Sequence, residues 1–153
     1  SMHCLSFFER YMAYRNAMHL LCIPCLEKDC IIGNRQDIKN PDSHNYLEYL
    51  ADCLKKDDMP EAFLCANDFV ALDTLKILKD MGVSVPGDIW LCGFDDSPES
   101  KIVTPTLTTI HIHSQIMGFS AVHLLISRIR QPSLNFRTMH TETSLIYRKS
   151  TGD

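Results

Sequence analysis

No apolar run in this chain approaches the roughly 18 residues that a membrane span requires, so no transmembrane helix is expected. Positive charge is not in excess either. Lys and Arg total 15 against 19 Asp and Glu, a net charge of −4. That leaves no basic footprint with which the chain itself would hold nucleic acid. The opening Ser1-Met2-His3 lacks a basic segment followed by a long apolar core, so no signal peptide is expected, and Ser1 reads as a scar of tag removal. Internal repeats and low-complexity tracts are absent. So are the common catalytic signatures: there is no G-x-S-x-G elbow, no Gly-rich phosphate loop and no H-E-x-x-H pair.

What is present fits one globular domain. A length of 153 residues supports a core of useful size. Seven cysteines stand at positions 4, 22, 25, 30, 53, 65 and 92. The count is odd, and Cys65 and Cys92 fall inside expected strands, so reduced, buried thiols fit better than a disulfide framework. That pattern favours a cytoplasmic location.

Residues 60–99 organise the rest. Residues 62–66 form a short apolar run suited to a buried strand. Asn67-Asp68 follow, and both residue types favour a helix N-cap. Ala71, Leu72, Leu75 and Leu78 then mark one face of an amphipathic helix, which Gly82 ends. Pro86-Gly87 make a turn, and residues 89–94 are a second buried-strand run closing in Asp95-Asp96. Strand, helix and strand in this order predict a βαβ unit with parallel strands. Polar residues gather where the strands end, the edge at which open parallel sheets bind ligands. Asp95 can accept hydrogen bonds from the hydroxyls or amines of a small ligand, or cap its own loop. Asn67 can donate and accept, or serve as a helix cap. Adjacent Asp95 and Asp96 point to different faces, which disfavours an acid/base pair across one bond.

Elsewhere, Phe7, Tyr11, Tyr14, Met18 and Leu21 fall at helical spacing over residues 6–21, with Arg10 and Arg15 off that stripe. Residues 31–33 read as a short strand, 34–44 as a loop and 45–56 as a helix buried through Tyr46, Leu47, Leu50, Cys53 and Leu54. Residues 97–99 read as a loop. Ser114 is placed to cap a helix over 115–130 with an apolar face of Met117, Ala121, Leu124, Leu125 and Ile129, and residues 139–147 as a strand. Cys22-x-x-Cys25 has metal or redox spacing, but no second pair follows it. His111 and His113 share a strand face without a third ligand.

The ordered set A-N-D at a strand end, an A-L helix, G-x-x-V-P-x-D-I and G-F-D-D resembles the sensor domain of LacI/GalR-type transcription regulators. The likeness extends from Ser6 to Thr151. SFFERYMAYRNAM is similar to the family's S-x-x-x-R-x-x-G-Y segment, with Ala13 in place of Gly, and SLIYRKST to its E-L-V-x-R-x-S-T ending. The resemblance implies an α/β fold: a three-layer parallel-sheet subdomain of a periplasmic-binding-protein-like sensor domain, here a C-terminal part lacking its first strand. It implies that 3–113 and 134–151 form mainly the C-terminal subdomain, with 114–133 a helix that packs on an N-terminal subdomain outside this sequence. Ser6 and Arg10, one helical turn apart, would face an effector cleft together with Asn67 and Asp95. Ile112 stands where the family often has a polar residue, so one contact would be lacking. The implied partners are a small-molecule effector of sugar or related type, a second copy in a homodimer, and operator DNA through a head domain absent here. No membrane, cofactor, metal or catalytic residue is implied. The competing readings are a small α/β enzyme, redox or metal protein using Cys22 and Cys25 or Asp95 and Asp96, and a solute-binding protein.

Overall fold

The computed structural model describes residues 5–32, 44–55 and 59–152. Helix α1 spans Leu5–Leu20 and α2 His44–Leu54. The βαβ unit follows as β1 (Ala62–Leu64), α3 (Asp68–Asp80) and β2 (Trp90–Cys92). A short helix α4 (Pro98–Ile102), strand β3 (Thr109–Ile112), the long helix α5 (Ser114–Arg130) and strand β4 (Thr143–Ile146) complete the order.

β1 and β2 pair in parallel, Phe63 opposite Leu91, as the βαβ reading expects. β3 and β4 pair antiparallel, Ile110 opposite Leu145. The two ladders join where the chain beyond β2 meets β3. Gly93 N donates to Thr108 O at 2.8 Å and Asp95 N to Ile110 O at 2.9 Å, both in parallel sense. The spatial order is therefore β1, β2, β3, β4, with a mixed edge rather than an all-parallel sheet.

The core is built by α3 on this sheet. Ala71, Leu75 and Leu78 are buried, and Ala71 and Leu75 share the interior with Leu91, Leu107 and Cys65. The spacing of those positions is the helical stripe read from the sequence, and α2 adds Leu50 and Leu54. Gly82 ends the α3 region with φ of 75°, a conformation that costs a residue with a Cβ about 1–2 kcal/mol. Cys65 and Cys92 are reduced as expected. Burial pushes the Cys65 thiol up to about 12 and the Cys92 thiol to about 11, which leaves both protonated and inert near neutrality.

Several expectations are corrected. The strands are shorter than the apolar runs, because the chain bends at each run's polar end. Ile31 and Ile32 lie outside any ladder, while Gly33 and residues 34–43 fall outside the described residues. Leu47 stays exposed on α2, and the Tyr46 side chain lies outside the described residues. Residues 98–102 are helical rather than loop: Pro98 suits a first helical position and Ser97 Oγ caps Ser100 N at 3.3 Å. Ser114 is the first residue of α5 and not its cap; His113 occupies that place without a side-chain cap bond. No residue of α5 is buried, so its apolar face is uncovered among the described residues.

On α1 the stripe is half-buried through Phe7, Tyr11, Tyr14 and Met18, whereas Leu21 is exposed just past the helix. Arg10 lies within this half-buried stripe, not off it. The helix closes with Ile23 N donating to Met18 O and Cys22 N to His19 O, and Cys22 takes φ of 54°. This is the glycine-type helix ending with a cysteine in the left-handed position.

Candidate functional site

The polar rim forms where β1 and β2 give out. The Asp68 backbone N–H donates to Phe94 O at 2.8 Å, so the two chain segments leave the sheet side by side. Asn67 and Asp95 therefore stand at the same end of the sheet. Beyond Phe94 the backbone takes φ of 111° at Asp95 and 53° at Asp96. Two consecutive non-glycine residues in the left-handed half of φ space store strain of order 1–3 kcal/mol each. The strained turn sends the two carboxylates to different partners.

Asp95 meets α1. Arg10 Nη2 donates to Asp95 Oδ1 at 3.2 Å, and Arg10 Nη1 donates to the Ala66 carbonyl at 2.5 Å. The guanidinium also lies over the Phe94 ring, 3.7 Å from its centroid. One planar cation thus ties together a helix, the tip of β1 and the turn after β2. Its side chain keeps 23% of its surface and that of Asp95 37%, so the pair faces an open rim and not the interior. An arginine fork beside a carboxylate and an aromatic face is suited to a small polyhydroxylated ligand. The cation and carboxylate supply donors and acceptors, and a flat ring supplies an apolar surface.

The other expected residues are placed differently. Asn67 Oδ1 accepts from Val70 N at 2.9 Å, so its oxygen serves as the α3 cap. Ser6 is exposed on the first turn of α1. Phe94 is half-buried, and Phe69 is exposed at 61%. A concavity of about 410 Å³ also borders Phe94, lined with it by Ile112, Met117, Leu124, Met139 and Thr143 among others. None of Ser6, Arg10, Asn67 or Asp95 lines it. The rim at Arg10 has the chemistry for recognition; the concavity has mainly apolar walls.

Asp96 faces inward and its role is structural. Its side chain, 7% exposed, accepts from Arg148, from Lys101 at 3.3 Å and from His111 Nδ1 at 2.9 Å. Arg148 also donates to Ser100 Oγ at 2.9 Å and Leu107 O at 2.8 Å. Ser150 Oγ donates to Leu91 O at 2.6 Å and accepts from Thr108 N at 2.8 Å. The R-x-S-T ending is thereby a latch that fastens the C-terminal segment to β2 and β3. This function was not foreseen from the sequence. The one available signal, a short Arg-Ser-Thr cluster after a strand, names no partner about fifty residues away.

Burial on its own pushes the Asp96 carboxyl up. Hydrogen bonds from Arg148, His111 and Lys101, with the Arg148 charge, outweigh it and hold the carboxyl below the usual range. Its stabilisation is then complete above the unfolded value of about 3.9 and fades as pH falls through the lower folded value. Asp73 has the opposite sign, since burial raises its carboxyl against the lowering by Lys76. Asp96→Asn removes the Asp96 charge and leaves Asp73 as it is. Urea midpoints should show the variant less stable by about 2 kcal/mol at neutral pH. The gap should stay level down to about pH 5 and narrow below about 4. A gap that is unchanged at low pH would show that the carboxylate is not held by these cations.

Comparison with known proteins places this geometry in a family. Residues 9–151 match the model of the periplasmic binding protein-like domain. The transcriptional repressor PurR of Actinobacillus pleuropneumoniae is 29% identical over 144 residues, covering 93% of this chain and 41% of that protein. A LacI-type transcription regulator from Bifidobacterium animalis is 33% identical with a TM-score of 0.62, over 68% of this chain and 37% of the other. A LacI family transcriptional regulator from Arthrobacter, solved in complex with lactose, is 27% identical with a TM-score of 0.61, over 69% and 40%. The chain thus spans about two-fifths of the length of such relatives. Among the described residues no helix is long and apolar enough to cross a membrane. The chain belongs to the LacI family of transcription regulators, and what it carries comes from that family's periplasmic-binding-protein-like, effector-binding domain.

Proposed function

We propose that this chain supplies one wall of an effector cleft and that the ligand is a sugar or related polyhydroxylated metabolite. The convergence of Arg10, the Ala66 carbonyl, Phe94 and Asp95 at one sheet edge carries the reading. Asp95 accepts from ligand hydroxyls, and the Arg10 fork donates to ligand oxygens. The Asn67 amide borders the same edge, and in this reading Ser6, one helical turn before Arg10, completes the polar set. The structure solved with lactose supports a sugar over other metabolites.

In this reading residues 3–113 and 134–151 form the C-terminal subdomain, and the helix at 114–133 packs against an N-terminal subdomain of a longer protein. That assignment accounts for the uncovered apolar face of α5, where Phe119 is 75% and Ile129 68% exposed. The effector bridges the two walls. Closure shifts a homodimer between states that hold operator DNA well or poorly through separate head domains, because the ligand binds the two states unequally.

Calorimetric titration of the longer protein with a panel of mono- and disaccharides tests this. At least one sugar should bind saturably, and Asp95→Ala should weaken it about tenfold by deleting a hydrogen-bonded carboxylate. Well-folded protein that binds no sugar, or an Asp95→Ala variant with unchanged affinity, would refute the ligand class or the site.

A further inference from the structure

Asp95 and Asp96 are neighbours in the chain with opposite surroundings. Asp95 opens onto the rim, where its carboxylate meets Arg10 at 3.2 Å with 37% of its side-chain surface exposed. Asp96 turns inward and is held on both oxygens. The backbone there keeps φ of 111° and 53°. A residue with a Cβ holds such angles only where its surroundings impose them. Release to negative φ reorients the Cα–Cβ bond of Asp95 and carries its carboxylate off the rim.

The anchors that prevent this come from the inner side. Asp95 N donates to Ile110 O at 2.9 Å, and Asp96 N to Thr109 Oγ1 at 3.3 Å. Asp96 Oδ2 accepts from His111 Nδ1 at 2.9 Å and Lys101 Nζ at 3.3 Å, while Oδ1 accepts from Arg148 Nη2. Arg148 is the firmest of these three cationic or ring partners. Its side chain is 15% exposed, against 40% for His111 and 53% for Lys101. Its Nη1 donates to Ser100 Oγ at 2.9 Å and Leu107 O at 2.8 Å, and its backbone N–H to Thr108 Oγ1 at 2.8 Å. None of these contacts involves Arg10, Ala66, Phe94 or Asp95.

We propose that Arg148 is a positioning residue of the effector site: through Asp96 it holds the turn that points the Asp95 carboxylate into the rim. The proposal rests on the reading of Asp95 as an acceptor of effector hydroxyls. It makes ligand affinity depend on a side chain of the C-terminal segment that no ligand touches. The residue type fits the task. One planar guanidinium serves Ser100, Leu107 and Asp96 at once, and a lysine ammonium on a flexible stem does not reproduce that fixed fork.

The test is a double-mutant cycle of Arg148→Lys with Asp95→Ala. It is read by calorimetric titration of the longer protein with mono- and disaccharides, lactose and ribose among them, at a temperature where circular dichroism shows each variant folded. Arg148→Lys alone should weaken binding about fivefold, less than the roughly tenfold loss in Asp95→Ala through which it acts. In the Asp95→Ala background the same substitution should change affinity by less than about twofold, because the group being aimed is gone. An equal loss with and without Asp95 is general loosening of the fold and overturns the proposal. Parent-like affinity in Arg148→Lys beside a weakened Asp95→Ala overturns it while the effector reading stands. Binding of no sugar, or an Asp95→Ala variant with unchanged affinity, overturns the effector reading and this proposal with it. Where Arg148→Lys fails to fold, Asp96→Asn takes its place in the cycle, and its loss should vanish with Asp95 in the same way.

Discussion

Among the described glycines, Gly93→Ala should be the most damaging substitution by alanine. A Cβ at position 93 would lie 2.1 Å from Asp68 Oδ1 and 2.9 Å from Leu107 Cδ2. The Asp68 side chain has no room to move aside. It is fully buried, its Oδ1 accepts from Thr109 Oγ1 at 2.6 Å, and its Oδ2 accepts from Ser97 N at 2.7 Å. Relief of the clash must break one of those bonds or push β2 away from α3. Overpacking of this kind costs about 1–3 kcal/mol. A stranded buried polar group adds about 1–3 kcal/mol more. We expect a loss of about 4 kcal/mol in urea unfolding. The corresponding fall in Tm is roughly 8–16 °C for a chain of this size. A double-mutant cycle with Asp68→Ala identifies the cause. With the carboxyl gone, the alanine at 93 should cost only its contact with Leu107, giving a coupling above about 1 kcal/mol. A Gly93→Ala loss under about 0.5 kcal/mol would show that the close approach is not a constraint.

The same position illustrates what the sequence could and could not reveal. The βαβ unit was legible because its information is local. A stripe of Ala71, Leu75 and Leu78 at helical spacing, a glycine after it and two short apolar runs define the elements without reference to distant residues. The end of the sheet at which ligands bind follows from the topology alone. Gly93 carries no such signal, because its requirement comes from Asp68, across the interior on α3. The latch around Asp96 was hidden for the same reason. Lys101, His111 and Arg148 reach it from three segments, and no spacing rule links them. Strand ends were overestimated because an apolar run says how much chain is buried and not where its ladder stops. Periodicity alone put Arg10 off the apolar stripe, and only the family resemblance turned it toward a cleft. Its position over Phe94 depends on a cation covering an aromatic ring, which hydrophobic spacing does not record.

Arg10→Ala should produce the largest functional change. The guanidinium makes three contacts at the rim: the Ala66 carbonyl at 2.5 Å, Asp95 at 3.2 Å and the Phe94 ring at 3.7 Å. Without it Asp95 loses its cationic partner, and in the proposed site the ligand would lose the guanidinium's remaining N–H donors. A charge-assisted pair of hydrogen bonds is worth about 3 kcal/mol, so effector affinity in the longer protein should fall about 100-fold. The stability cost should stay near ~1 kcal/mol, because the ion pair is partly exposed and screened by water. Arg10→Lys separates the two contributions. It keeps a charge near Asp95 but cannot hold Ala66 O and Asp95 together as a planar fork, so its effector affinity should lie between that of the parent and the alanine variant. Operator binding in the absence of effector should be unchanged in both variants, since in the proposed reading separate head domains hold the DNA. An effector response shifted by less than about threefold in Arg10→Ala, under ~1 kcal/mol, would place the ligand elsewhere. The concavity bordering Phe94 would then be the next surface to test, and substitution of Met117 or Thr143 in place of Arg10 should carry the loss.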